Sequence, residues 1–510
     1  MHKQGTWITA YLAALAVVGA ALVIWLTPHG AGVSPDSTFY LESTQSLLAG
    51  EGYAVDGVPI THFPPLYPTL LAFTGILQPD LVQAARLFNA ILFGLNLALI
   101  GWLAYLAAGR KLWVSGLAAL FALSAEPILE LHALAWSEPL FITLLLAGLL
   151  ILVRYVVEPG RIPLVASALL LGLAVITRYI GMGLLPAGAL LIYLGRPRRD
   201  RLQGLRAALV WLALACLPLA LFIVRNLVLL GTATDRRLAV HPMALSEYTA
   251  GLTSTLSRML ALDPLLARAA AALIMFIAVY LILPLEGWGA RLRNTERRLE
   301  EFAIPFACLL FCAIYLPFLY ISLSFLDAST PLDARILSPV LVLLVVGGIP
   351  GVATLARRLH RPLAWWGFVA TMIVLILLRA PASIPIVRTI RADGLGYTSA
   401  QWTGSDTIRS ARTLPSGGTI YSNAPDIVRF LDGRRALPLP ALTNPLTLQP
   451  NPSYGQQLEA MCNGIAGGSA YVVYFEAVQL WNLPDKATLE TACGLPILYQ
   501  LPDGTVYGGI

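Results

Sequence analysis

Charge is scarce in this chain. Asp, Glu, Lys and Arg make up 12% of its 510 residues, about half the roughly 25% of an ordinary soluble domain. Apolar runs of about eighteen residues or more recur along it. Together these exclude a soluble globular chain and imply a polytopic membrane protein. The net charge of +6 does not point to nucleic acid, because the basic residues sit between apolar spans rather than on one patch. Cysteine is sparse too. Cys216, Cys308 and Cys312 lie inside apolar runs and read as packing residues. Cys462 and Cys493 lie near the C-terminus and can pair if that region is extracytoplasmic. No internal repeat is visible.

Spans of roughly 17–25 apolar residues suit a bilayer. They are expected near 7–27, 82–108, 112–125, 138–154, 162–178, 180–195, 206–230, 268–285, 302–324, 336–356 and 363–380. The third, fifth and sixth are short. The first is longer than a signal-peptide core of roughly 7–15 residues, and no A-x-A site follows, so it reads as a retained span. Basic residues cluster at Lys3, Arg110–Lys111, Arg154 and Arg161, "GRPRRDRLQGLR", "RLRNTERR" and "RRLHR". These fall at alternate span ends, and the positive-inside rule puts them in the cytoplasm. Lys and Arg are wholly absent from 28–80 and 125–137, which then lie outside.

The expected architecture is a polytopic α-helical membrane protein of about eleven spans, with surface helices in the first outer loop and a small C-terminal α/β domain. Residues 1–380 form the membrane domain, 28–80 the first outer loop, and 381–510 the extracytoplasmic domain. The last is marked by short β-prone runs such as "GGSAYVVYFEAVQLW", bounded by Gly, Pro and Asn.

The first outer loop is more than a connector. "SPDSTFYLESTQSLLAGEGY" predicts a helix over about 35–49, capped by Ser34 and opened by Pro35. "LYPTLLAFTGIL" then predicts a half-span or surface helix. Asp36 sits just inside the first helix start. It reads either as a carboxylate stabilising that terminus or as a general base in a partly desolvated cleft. Glu138, in "WSEPLF", starts the fourth span on the same side, with Ser137 as its expected cap. Glu126 and Glu130 compete with it. Arg178, Arg225 and Arg335 lie near outer span ends, against the positive-inside trend. Each either pairs locally, with Asp333, Asp327 or a carbonyl, or grips an anionic ligand such as a phosphate. His62, in "THFPPLYP", has no second histidine at metal-ligand spacing and reads as structural or as a phosphate contact.

The stretches "DSTFYLESTQSLLAGEGY", "THFPPLYPTLLAFTG", "WSEPLF", "ITRYIGMGLLP", "VRNLVLLG" and "ARILSPV" occur in order across residues 36–340. In that order the chain resembles the membrane-embedded GT-C glycosyltransferases that use lipid-phosphate sugars. That branch includes the protein O-mannosyltransferases of family 39, the aminoarabinose transferases and the lipid A galacturonosyltransferases. The resemblance implies a catalytic Asp36, a supporting Glu138 and an Arg335 facing the lipid phosphate. Arg178, Arg225 and His62 are further donor-phosphate candidates, and Tyr40 and Tyr67 are expected to line the substrate site. One departure matters. Many members carry a Lys just before the paired prolines, where this chain has Phe63 beside His62.

The expected activity is transfer of a monosaccharide from a polyprenyl-phosphate donor to a lipid, glycan or protein acceptor at the outer face of the cytoplasmic membrane. The resemblance implies a single inverting displacement. The expected scheme requires no cofactor. A divalent cation enters only if Asp36 and Glu138 both ligate it. Two rival readings stand beside this one. Against a transporter or lipid flippase speak the lack of a visible repeat and the charges gathered at one face; against a structural or binding membrane protein acting through its outer domain speaks the reactive-looking first loop.

Overall fold

The structure, a computed structural model, describes residues 2–236, 238, 240–269, 296–326, 330–358, 362–445 and 447–509. The chain opens with α1 (His2–Leu26), α2 (Pro35–Leu48), a hairpin of β1 (Ala54–Val55) and β2 (Val58–Pro59), and α3 (Leu66–Leu77). Next come α4 (Leu81–Ala107), α5 (Leu112–Leu123), α6 (Glu126–Ala133), α7 (Glu138–Val157), α8 (Arg161–Val175) and α9 (Leu184–Leu194). The bundle continues with α10 (Arg201–Leu230), α11 (Leu245–Leu260), α12 (Glu296–Phe325), α13 (Ala334–Leu343), α14 (Ile349–Arg358) and α15 (Pro362–Asp393).

Among the described residues seven helical stretches are long and apolar enough to cross a membrane. They are α1, α4, α7, α10, α12, the run from α13 through α14, and α15. A helix suits that setting because it satisfies its own backbone groups without water. The runs in α4, α7, α12 and α13–α14 are the more buried ones and build the core; α1, α10 and α15 turn most of their apolar surface outward. At the α1–α4 contact Gly94 is required by close approach, since a Cβ there would run into the carbonyl of Ala16.

The short expected spans are short here. The stretch 112–125 becomes α5, of 12 residues, which bends by 63° into α6. The stretch 162–178 becomes α8, of 15 residues. The stretch 180–195 becomes a 3-10 turn, Tyr179–Gly183, leading into α9. The span expected at 268–285 falls largely outside the described residues. The boundary expected at 380 is moved: α15 runs on to Asp393, through Pro381 and Pro385. Prolines read as breakers in water are tolerated in such a helix because neighbouring groups satisfy the freed carbonyls.

Beyond α15 lies a small mixed α/β unit. Its sheet has the order β4-β3-β5-β7-β6, from β3 (Thr419–Ser422), β4 (Ala436–Pro438), β5 (Ala470–Phe475), β6 (Ile497–Leu501) and β7 (Gly504–Gly508). The β4–β3–β5 pairs are parallel and the β5–β7–β6 pairs antiparallel. The wholly buried β5 and β7 form its core. Helices at Pro425–Asp432, Tyr454–Ala466 and Lys486–Cys493 pack around it, and a disulfide joins Cys462 to Cys493.

Three distant segments are stitched together just before the candidate site. Gly32 bonds the carbonyl of Ala133, and Ala135 bonds the carbonyl of Gly32, both at 2.8 Å. Val33 bonds Leu395, and Tyr397 returns a bond to Val33 at 2.7 Å. Gly396 sits at φ +61° against Val33, where any side chain would strike the Val33 carbonyl. Asp36 and Glu138 follow this junction by a few residues each.

Candidate active site

Three helix starts present the charged groups. Ser34 caps α2 by accepting from the Ser37 amide, and Pro35 opens the helix, as the sequence predicted. This leaves Asp36 in the first turn. Asp333 caps α13, accepting from the amides of Arg335 at 2.9 Å and Ile336 at 3.4 Å. Glu138 starts α7 ahead of Pro139. Ser137 does not cap that helix. Its hydroxyl instead meets the Tyr40 hydroxyl at 3.1 Å and accepts from Arg178 at 3.3 Å.

The charges meet at Arg335. Its Nη2 donates to Asp36 Oδ2 at 2.6 Å and its Nε to Glu138 Oε1 at 2.7 Å. Glu138 is wholly buried and is also paired with Arg178. Two carboxylates and two guanidiniums thus balance in one cluster. Burying such charges is costly unless each is paired. The Arg335 guanidinium lies 4.1 Å from the centre of the Trp136 ring. The Trp136 indole N–H bonds Ser34 Oγ at 2.7 Å, which ties the ring to the cap of α2.

The cluster opens on a cavity of about 480 Å³. Asp36, Tyr40, His62, Phe63, Arg178, Asp333 and Arg335 line it, and so does Arg236, whose guanidinium lies 5.4 Å from the centre of the Tyr179 ring. An apolar wall comes from Ile180, Met182, Leu219, Ile223 and Phe318. Burial pushes the Tyr40 phenol above its ordinary range, so it stays a neutral hydrogen-bonding group. Burial likewise raises the Asp333 carboxyl and lowers the Arg236 guanidinium. His62, Phe63 and Pro64 of the first loop line the cavity, and the loop is tied to its neighbours at Thr61. Tyr179 donates to the Thr61 carbonyl at 2.8 Å, and the Asp235 amide to the Thr61 hydroxyl at 3.1 Å. His62 pairs with Asp235 at 3.1 Å.

Of the residues expected from sequence, Asp36, Tyr40, His62, Arg178 and Arg335 line this cavity, and Glu138 lies directly behind it. Arg225 and Tyr67 do not line it. Arg225 bonds the carbonyls of Tyr53 and Ile60 and the side chain of Asn226, so it braces the first loop. Tyr67 is fully buried, 5.1 Å from the Tyr40 ring. The competing acids Glu126 and Glu130 are held elsewhere by Arg258. Local pairing of the arginines with Asp333 is corrected: that carboxylate caps α13, and Arg335 turns to Asp36 and Glu138. Asp327 lies outside the described residues. Trp136 and Arg236 were not singled out from sequence; a Trp in an apolar run and an Arg in a polar loop carry no distinguishing signal.

The donor set does not fit the divalent cation considered for Asp36 and Glu138. Both carboxylates aim at the Arg335 guanidinium, which stands between them. Among the described residues no three His, Cys, Asp or Glu side chains gather as a metal site.

No protein-family model and no curated protein matches the chain. Solved structures do. ArnT from Cupriavidus metallidurans bound to undecaprenyl phosphate aligns with a TM-score of 0.58 at 14% identity, covering 98% of each chain. The apo state of the same protein gives 0.56 at 15%, again over 98% of each chain. At this identity the likeness concerns the fold alone: the chain shares the ArnT fold over nearly its full length.

Proposed function

We propose that this protein is a membrane glycosyltransferase that moves a monosaccharide from a polyprenyl-phosphate donor to an acceptor hydroxyl. One observation carries the reading. In a chain with the ArnT fold, two carboxylates, Asp36 and Asp333, and three arginines, Arg178, Arg236 and Arg335, meet at one cavity with an apolar wall. A phosphate needs the cations, a prenyl chain needs the apolar wall, and a sugar acceptor needs the base. The solved ArnT structure is bound to undecaprenyl phosphate, which fits the same division of labour.

In the proposed reaction Asp36 takes the proton of the acceptor hydroxyl. The acceptor oxygen bonds to the anomeric carbon through an oxocarbenium-like transition state. The bond from that carbon to the phosphate oxygen breaks, and its electron pair leaves on the phosphate. Arg335 and Arg178, with Arg236, stabilise the charge that develops there. Glu138 holds the two arginines in place. His62, at the rim, stands near the position where related enzymes carry a lysine. One displacement inverts the anomeric centre. In this reading residues 28–80 and the C-terminal unit lie on the extracytoplasmic side of the cytoplasmic membrane and the N-terminus lies in the cytoplasm. The acceptor is a lipid, glycan or protein reaching the cavity from that side.

The test uses the purified protein in lipid nanodiscs with a panel of radiolabelled polyprenyl-phosphate sugars. Consumption of one donor by wild type, and its loss in Asp36→Asn, is the expected result. Equal turnover by both proteins removes Asp36 as base. Failure of the protein to bind any polyprenyl phosphate removes the reading itself.

A further inference from the structure

Arg335 makes its two side-chain hydrogen bonds to two different carboxylates, and the two differ in kind. Glu138 is wholly buried and takes Nε at 2.7 Å; it also holds Arg178. Asp36 takes Nη2 at 2.6 Å and is about a third exposed, on the cavity wall. The first bond anchors the guanidinium. The second holds Asp36 Oδ2, on the cavity wall, against the guanidinium. An oxygen that accepts from a guanidinium N–H has that direction closed to an acceptor hydroxyl, which has to displace the N–H to reach it. With Arg335 so bonded, Asp36 is masked.

A phosphate entering the cavity presents oxygens that suit a guanidinium better than a single carboxylate oxygen does. Glu138 and the Trp136 face keep the guanidinium where it is. Only the partner on Nη2 needs to change. We infer that the donor phosphate takes Arg335 Nη2 from Asp36, so that Asp36 is unmasked as a base only when a lipid phosphate occupies the cavity. This rests on the glycosyltransferase reading above. It adds a coupling: Asp36 and the lipid phosphate compete for one guanidinium, and each weakens the other's hold on it.

The competition has a signature that a purely structural ion pair lacks. Asp36→Asn destroys turnover, yet it should tighten the binding of undecaprenyl phosphate by about tenfold or more, the scale of one charge-assisted hydrogen bond. Removing any negative charge from the cavity helps an anion somewhat, so a control is needed. Asp333→Asn removes a carboxylate from the same cavity and retains the capping oxygen, while Arg335 keeps both of its side-chain partners. It should tighten binding much less. In an Arg335→Gln background, Asp36→Asn should tighten binding no more than Asp333→Asn does, which closes a double-mutant cycle.

The measurement is binding of undecaprenyl phosphate to the full-length protein in nanodiscs of neutral lipid, at fixed ionic strength. Asp36→Ser serves if the Asn variant does not fold. Tightening specific to position 36 and dependent on Arg335 supports the handover. Unchanged or weakened binding in Asp36→Asn overturns the handover but leaves the transferase reading standing, as does equal tightening by Asp333→Asn. Absence of binding to every form overturns both.

Discussion

Arg335 donates to Asp36 across 2.6 Å although 299 residues separate them in the chain. The bond joins the first turn of α2 to the first turn of α13. With Glu138 and Arg178 it completes a cluster of two positive and two negative groups. In a chain so poor in charge, these groups are retained at a place where pairing offsets their desolvation.

Breaking that balance should cost stability. Glu138→Gln leaves Arg178 and Arg335 without their shared buried anion, which is expected to cost about 3–5 kcal/mol. Thermal unfolding in detergent reads this as a clearly lowered midpoint, with activity lost. Glu126→Gln and Glu130→Gln should retain turnover, because their partner Arg258 lies away from the cavity lining.

Arg236→Gln should raise the KM for donor, by about ten- to hundredfold if one charge-assisted hydrogen bond to phosphate is lost. Steady-state kinetics with a single polyprenyl-phosphate sugar checks it. Arg225→Gln should act differently. It removes the brace on the carbonyls of Tyr53 and Ile60, so the unfolding midpoint should fall along with activity.

Gly396→Ala tests the junction beneath the site. The residue sits at φ +61°, and a Cβ would strike the Val33 carbonyl. Separation of the two segments at Val33 displaces the one leading into Asp36. Activity should fall by about a hundredfold or more, since a misplacement of about 1 Å suffices for that. The disulfide-linked unit beyond α15 should stay folded, as judged by protease resistance.

The clasp between His62 and Asp235 should be sensitive to acid. Burial acts to raise the Asp235 carboxyl, but its hydrogen bond and charge interaction with His62 prevail and hold it below the ordinary 3.8. The folded carboxyl therefore binds its proton less tightly than the unfolded one. Its stabilising contribution is complete above the unfolded value and is lost as pH falls through the lower, folded value. The unfolding midpoint of wild type should exceed that of Asp235→Asn near neutrality, and the difference should shrink below about pH 4. A difference that stays constant down to acid pH would show that the clasp contributes no ion-pair stability.

Much of this protein is legible without coordinates. Length and apolarity decide the long helices, because a bilayer admits few other ways to satisfy a backbone. The start of α2 is legible from Ser34 and Pro35, whose chemistry acts within one turn. The C-terminal sheet is legible from β-prone runs bounded by Gly and Pro. The extent of α15 was not, because its prolines look the same whether or not neighbours compensate for them. Asp36, Glu138 and Arg335 stood out as charges at span ends, where such residues are rare. Arg225 stood out for the same reason, and its different placement shows the limit of that signal.

What the sequence alone determined are the properties that act locally or against the solvent: span character, caps, the polarity of span ends and the small mixed sheet. Only the tertiary structure decided which charges meet. Arg335 turns to Asp36 and Glu138, Arg225 to backbone carbonyls, and Arg258 to Glu126 and Glu130. The physical reason is that pairing depends on helix packing and on the backbone junction at Gly32, Val33 and Gly396. Those bring together segments more than a hundred residues apart, and no local pattern encodes their distance.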